Sequence, residues 1–190
     1  NNRIKLFRYD SANRQTASAS LLANGADGSL AWALQAQVID GDGNTLAHDS
    51  WGVAVTAVAG SVLSSAAREA LFDQLLATPR NGATDQHERY LRDAFGRVTA
   101  LATAQGVDEL GQLRWAISRQ SFDVAGNLSM RLDYATALTS TLTSSGANLD
   151  TAAQIGQFVA GVGTTSLDHT RRWFYDSANR LTFAVEPNGA

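Results

Sequence analysis

One six-residue string occurs twice without a single change: Tyr9-Asp10-Ser11-Ala12-Asn13-Arg14 and Tyr175-Asp176-Ser177-Ala178-Asn179-Arg180. The copies stand 166 positions apart, and a looser copy, Asp93-Ala94-Phe95-Gly96-Arg97, lies at the midpoint, one step of 83 from each. Thr16, Thr99 and Thr182 keep that step. Gly28, Leu30, Trp32 and Ala33 meet Gly111, Leu113, Trp115 and Ala116 by it. Asp40, Gly43 and Asn44 meet Asp123, Gly126 and Asn127, and Asp85 meets Asp168. No gap is needed. Such a period requires a string of like units, each packed on its neighbours. It divides one repeat array into a first unit at 10–92, a second at 93–175 and the opening of a third at 176–190. The start at Asn1 without Met and the close on Pro187-Asn188-Gly189-Ala190 read as a piece of a longer protein.

Within each unit an aspartate-led motif comes twice. Its acids are Asp10, Asp40, Asp93, Asp123 and Asp176, so the intervals run 30, 53, 30 and 53. Three residues after each acid stands Asn13, Gly43, Gly96, Gly126 or Asn179. Gly and Asn are the residues that most readily take positive φ. An aspartate opening a turn accepts bonds from the backbone two residues on. A left-handed residue closing the turn then feeds the return strand through a bulge. These five sites are therefore expected to be β-hairpin tips, with structural and not catalytic roles.

The flanks alternate as strands with one buried face do. Leu30, Trp32 and Leu34 interleave with Ala31, Ala33 and Gln35; Leu113, Trp115 and Ile117 interleave with Arg114, Ala116 and Ser118. Trp51, Val53 and Val55 repeat the pattern, with Tyr134 and Leu138 at the matching places. Asn24–Gly28 and Gln105–Gly111 read as wider loops. The 53-residue interval holds an insertion. Leu63, Ala67, Leu71, Phe72, Leu75 and Leu76 share one face of a helix expected over 61–77, ended by Pro79, Asn81 and Gly82. Its counterpart over 148–160 places Leu149, Ala152, Ala153, Ile155 and Val159, with Gly156 a weak point. A lone helix of this length is marginal in water and has to lie against the sheet. The expected fold is mainly β with helical inserts: tandem antiparallel hairpins in a curved sheet or β-spiral, one amphipathic helix per unit.

Charge and composition exclude several classes. A net charge of −3 and a pI near 5.5 argue against a phosphate-backbone binder. Lys5 is the one lysine among 15 basic residues, and Arg171-Arg172-Trp173 is the one basic–aromatic cluster, a cation–π decoration of a strand. With no cysteine, disulfides, thiolate zinc sites and cysteine nucleophiles are ruled out. No apolar run reaches a membrane span.

Four constellations bear on chemistry. Asp40-Gly41-Asp42-Gly43-Asn44 carries oxygens at alternate places like a calcium loop, but Trp51 stands at the twelfth position and the matching Asp123–Asn127 lacks the second acid. A hairpin tip explains both loops. His48-Asp49-Ser50 cannot make a triad from adjacency, because strand neighbours point to opposite faces. His48, His87 and His169 have no counterparts at step 83 and read as solvated or capping. Asp85 and Asp168 match, but equivalent places one unit apart are too distant for paired-carboxylate glycosidase chemistry; a loop-closing role fits them. Trp32 and Trp115 share a face with leucines and read as core; Trp173 and Tyr175 are the exposed aromatics expected of a recognition face.

Phe7-Arg8-Tyr9-Asp10 through Arg14, Phe122-Asp123 through Asn127, and Phe174-Tyr175-Asp176 through Thr182 with Glu186-Pro187-Asn188-Gly189 resemble YD repeats, the hallmark of the Rhs/YD-repeat family of large bacterial surface and toxin proteins. Arg92 and Ile39 replace the family's aromatic before Asp93 and Asp40, and the helical inserts are absent from its simplest repeats. The resemblance implies a secreted or cell-surface scaffold of hairpins, toxin-associated or adhesive, partnered by adjacent repeats of its own chain. It implies no cofactor, no metal and no catalytic residue. A carbohydrate- or receptor-binding module is the alternative, a hydrolase the more distant one.

Overall fold

The computed structural model describes residues 4–24, 29–52, 54–58, 64–78, 84–140 and 149–187. In chain order these form β1 (Lys5–Tyr9), β2 (Gln15–Asn24), β3 (Ser29–Ile39), β4 (Thr45–Ser50), β5 (Val55–Val58), α1 (Ser65–Leu76), β6 (Gln86–Arg92), β7 (Val98–Val107), β8 (Leu113–Phe122), β9 (Leu128–Asp133), β10 (Leu138–Ser140), α2 (Ala152–Ala160), β11 (His169–Tyr175) and β12 (Leu181–Val185). Among the described residues the strands make one antiparallel sheet in the order β1-β2-β3-β4-β6-β7-β8-β9-β11-β12. The chain is thus mainly β with helical inserts. β5 and β10 stand off the main path, against β3 and β8.

Each helical excursion leaves from and returns to the same edge. β4 and β6 flank α1 in sequence yet pair directly, Asp49 opposite His87; β9 and β11 do the same around α2, Leu132 opposite Thr170. In both units the first half of the Trp strand pairs with the short strand and the second half with the long one. Between those halves Trp51 N–H donates to Leu34 C=O (3.1 Å) and Tyr134 N–H to Ile117 C=O (3.0 Å), 83 residues apart. Trp51 therefore sits in a break between β4 and β5, not in a strand running on through Val55. Val53 lies outside the described residues, as do 25–28, Leu63, Pro79, Asn81, Gly82, 148 and 188–190.

Two cores form on one sheet face. Ala17, Ala19, Trp32 and Leu34 are covered by Leu71, Phe72 and Leu75 of α1, with Trp51 and Val55 at the side. Ala100, Ala102, Trp115 and Ile117 are covered by Ile155 and Val159 of α2, with Tyr134 and Leu138 at the side. Burying each large side chain is worth about 1.5–3 kcal/mol, so the two cores hold the sheet and helices together. The alanines are the complement of the helices: short side chains let the helix approach the sheet.

Both helices are shorter than their periodicity predicts. α1 starts at Ser65 because Ser64 caps it, its hydroxyl accepting from Ala67 N–H at 3.1 Å. α2 starts at Ala152 because Thr151 and Gln154 form a capping box. Leu149 lies before that cap at φ 57, outside the helix, and still reaches the second core. At the other end of α2, Arg119 Nη2 donates to Val159 C=O (3.0 Å), a cation on the helix's negative pole.

Candidate functional site

Five turns stand in a row along one end of the sheet, between β1 and β2, β3 and β4, β6 and β7, β8 and β9, and β11 and β12. All five share one geometry. The aspartate N–H donates to the carbonyl four residues on, and the left-handed residue donates back to the aspartate carbonyl, as Asp93 N–H to Arg97 C=O (3.0 Å) and Gly96 N–H to Asp93 C=O (3.0 Å). The left-handed residues are Asn13 (φ 60), Gly43 (φ 90), Gly96 (φ 76), Gly126 (φ 91) and Asn179 (φ 58).

The carboxylates of Asp10, Asp40, Asp93, Asp123 and Asp176 turn inward. In each, Oδ1 accepts the N–H groups two and four residues on, at 2.8–3.0 Å. Oδ2 accepts from the side chain four residues on: Arg14 Nε (2.7 Å), Asn44 Nδ2 (3.1 Å), Arg97 Nε (2.8 Å), Asn127 Nδ2 (3.0 Å) and Arg180 Nε (2.7 Å). These bonds favour the charged form and hold all five acids below their ordinary 3.8. For Asp10, Asp40 and Asp176 the largest cause is the backbone N–H four residues on; for Asp93 and Asp123 it is the side chain of Arg97 and of Asn127.

The bulge falls on the return strand, six residues after each acid. Register breaks there place Thr16, Leu46, Thr99, Ser129 and Thr182 without a direct cross-strand mate. Four of these carry a hydroxyl, and it donates back to the first strand: Thr99 Oγ1 to Leu91 C=O at 3.2 Å, Ser129 Oγ to Ser121 C=O at 3.1 Å, Thr182 Oγ1 to Phe174 C=O at 3.0 Å, and Thr16 Oγ1 more loosely to Arg8 C=O at 3.5 Å.

Neighbouring tips touch. Arg14 donates to the Asp40 carbonyl, Arg92 Nε to Thr45 C=O (3.1 Å), and Asn127 Nδ2 to Asn179 Oδ1 (3.1 Å). Arg97 lies over the Phe122 ring at 4.4 Å. Between the second and third tips a cleft of about 330 Å³ opens, lined by Asp42, Leu46, Arg92, Phe95 and Ala152.

A sixth turn lies at the opposite end of the sheet. Asp108 N–H donates to Gln112 C=O (2.8 Å), Gly111 (φ 75) donates to Asp108 C=O (3.0 Å), and Asp108 Oδ1 accepts from Leu110 and Gln112 N–H. The segment expected as a wider loop at Gln105–Gly111 is therefore strand to Val107 and then a tight turn. The signal was available: Asp108-x-x-Gly111 is the same motif, 15 residues from both Asp93 and Asp123. Its counterpart at step 83 is Gly25, so the period concealed it.

Asp85 and Asp168 fasten the end opposite the tips. Asp85 Oδ1 accepts Gly52 N–H, and Asp168 Oδ1 accepts Ala135 N–H, each at 2.9 Å. The Ala135 and Thr165 N–H groups hold Asp168 below its ordinary value. Thr84 C=O would lie 1.8 Å from a Cβ added at Gly52, so that chain approach admits only glycine.

The histidines separate. His169 is exposed. His48 faces the helix-free side, 3.9 Å from Glu88, whose Oε2 accepts from Tyr90 Oη at 2.5 Å. Burial first, then the Glu88 bond, pushes Tyr90 up to about 12. His87 is 1% exposed, so it is neither solvated nor a cap. Its Nδ1 meets Asp49 Oδ1 at 2.8 Å, and Arg89 Nη1 donates to the same oxygen at 2.7 Å. Asp150 approaches Arg89 Nη2 at 3.5 Å, and the guanidinium lies over Trp115 at 5.6 Å. This buried ionic cluster occupies the seam between the two cores. The matching seam has Leu132, Thr170 and Arg172 instead, and comparing the histidines only at step 83 could not bring Asp49 and His87 together.

Trp32 and Trp115 are fully buried, and Trp115 Nε1 donates to Ser140 Oγ at 2.7 Å. Trp173 and Tyr175, expected on the surface, are half-buried; the exposed aromatics of that hairpin are Phe174 and Phe183. No described helix is long and apolar enough to cross a membrane. Neither a protein-family model nor a curated protein matches the chain.

Proposed function

We propose that this chain is a structural scaffold segment of a large secreted or cell-surface bacterial protein of the YD-repeat kind, part of a toxin-associated shell or an adhesin, without a reaction of its own. One observation carries the reading: the aspartates that recur with the period are engaged in holding backbone. Five turn carboxylates each accept two backbone N–H groups and one side chain, and Asp85 and Asp168 are spent on backbone in the same way. Among the described residues these repeated aspartates are engaged in turns and loop closure and do not converge in pairs, and affinity would come from extended surface instead of a pocket. If the array is the functional object, stability should grow with added units, as in quasi-one-dimensional proteins. Inserting a second copy of residues 93–175 should raise the denaturation midpoint and steepen the transition; an unchanged or lower midpoint contradicts the scaffold. Proteolysis of intact producing cells should remove the protein if it is displayed.

A recognition role is favoured by a separate observation. On the helix-free face Phe7, Tyr90 and Trp173 recur at step 83, each on the first strand of its hairpin. Lys5 Nζ lies 5.2 Å over Phe7 and Arg92 lies 5.6 Å over Tyr90. Such rings suit a glycan or receptor surface. A glycan array with no binder, repeated on a receptor-bearing cell surface, retires this reading and leaves the scaffold.

A further inference from the structure

We propose that Arg131 and Arg171 form a binding site for a phosphate group on the helix-free face of the second unit. The two residues stand directly opposite each other on β9 and β11, and each of those strands has a neighbour on both sides. Residues opposed in this way hold their Cβ atoms about 5 Å apart, and like charges there are destabilising. One step of 83 earlier the same two places hold His48 and Glu88, also directly opposed, with Nδ1 3.9 Å from Oε2. The second unit thus sets two permanent cations where the first sets a pair able to attract.

Each guanidinium is steered by one carboxylate, and through Nε. Arg131 Nε donates to Asp133 Oδ1 at 2.8 Å, and Arg171 Nε lies 2.9 Å from Glu186 Oε2. Neither carboxylate stands between the arginines. Asp133 follows Arg131 two places along its own strand, and Glu186 follows β12, on the other side of β11 from Arg131. Among the described residues the terminal Nη nitrogens take no other partner, and the two side chains are 38% and 46% exposed. Gln120 stands opposite Arg131 on β8, and Trp173 follows Arg171 two places on, on the same face. Arg172 lies on the other face, so of Arg171-Arg172-Trp173 only the first and last bear on the site.

The chemistry selects the ligand. A carboxylate brings two oxygens and one charge, and a single guanidinium fork satisfies it. Two forks on adjacent strands call for more acceptor atoms and more charge. A phosphate group supplies three oxygens and close to two negative charges, enough to bridge both arginines and relieve their repulsion. One such pair suits a single group and not a polyanion track, in keeping with the net charge of −3. The group can be free phosphate or a monoester whose flat substituent lies against Trp173. The inference adds a charged-group site to the face that the recognition reading uses, and it stands without that reading and without the scaffold.

Isothermal titration calorimetry of the 190-residue chain at low ionic strength tests it, with inorganic phosphate in one arm and phenyl phosphate in the other. Saturable one-to-one binding is expected in at least one arm. Tighter binding of phenyl phosphate supports a monoester site, and equal or tighter binding of inorganic phosphate supports a site for the free ion. Arg131→Gln and Arg171→Gln should each weaken binding at least about tenfold. Arg114→Gln, which removes an exposed arginine of β8, should leave it unchanged. Far-UV circular dichroism confirms that each variant folds. If a glutamine variant does not fold, Arg131→Lys and Arg171→Lys carry the test: they keep the charge, lose the fork, and should weaken binding about threefold or more. The absence of saturable binding in both arms overturns the proposal. So does binding indifferent to both arginines, or an equal loss in Arg114→Gln.

Discussion

At the scale of the residue, the turn aspartate is the unit of construction. Its value lies in what one carboxylate can accept at once: two backbone N–H groups on Oδ1 and a side-chain donor on Oδ2. Because the folded-state values of Asp10, Asp40, Asp93, Asp123 and Asp176 all lie below 3.8, the sign of the pH effect is fixed. Their contribution is fully present above the unfolded value and is lost as pH falls through the depressed folded ones. Thermal midpoints should therefore be flat above about pH 5 and drop steeply below pH 4, and Asp93→Asn should flatten that drop. The left-handed partner is equally specific. Gly126→Val puts a β-branched residue at φ 91 and should cost about 1–2 kcal/mol; a midpoint equal to the parent's would contradict the geometry. Much of this was legible, since Asp and Gly or Asn at fixed spacing have a turn chemistry of their own. The role of Arg14, Asn44, Arg97, Asn127 and Arg180 was not, because a residue four places on looks like ordinary strand sequence until the chain folds back beneath the acid.

At the scale of the element, alternation of Leu113, Trp115 and Ile117 told which face of β8 is buried, and all three are. Helix ends were less legible. Apolar spacing carries through Leu149, but the chain turns there at φ 57 and the capping box, not the hydrophobic stripe, sets the start of α2. Gly156 remains within that helix. A Cβ built on it would meet only Leu91 Cδ1, at 3.7 Å, an ordinary contact. Gly156→Ala should therefore stabilise the protein by about 0.5–1 kcal/mol, because alanine loses less backbone freedom on folding. A lower melting temperature would show that the helix does not seat on β6 as described.

At the scale of the whole molecule, two like cores share one sheet, and an unlike seam lies between them. Asp49, His87 and Arg89 are buried together, where the next period carries Leu132, Thr170 and Arg172 and so lacks the carboxylate and the imidazole. Asp49→Ala leaves Arg89 and His87 without their carboxylate and should cost about 3–5 kcal/mol. Replacing all three by Asp49→Leu, His87→Phe and Arg89→Met removes the buried cation together with its carboxylate, leaves only the partly exposed Asp150 without its ion pair, and should cost markedly less; chemical denaturation compares the two. The period made the repetition of the cores readable. It hid the seam, because long-range pairing of β4 with β6 across a helical insertion has no local sequence signal.

That pairing is also where the account is most exposed. Cross-strand nuclear Overhauser contacts between backbone protons report it directly. They should join Asp49 to His87 and Leu132 to Thr170, the strands flanking each helix meeting at equivalent places 83 residues apart. Contacts that place β4 or β9 against any other strand on that side would contradict the continuous sheet and the repeated unit with it.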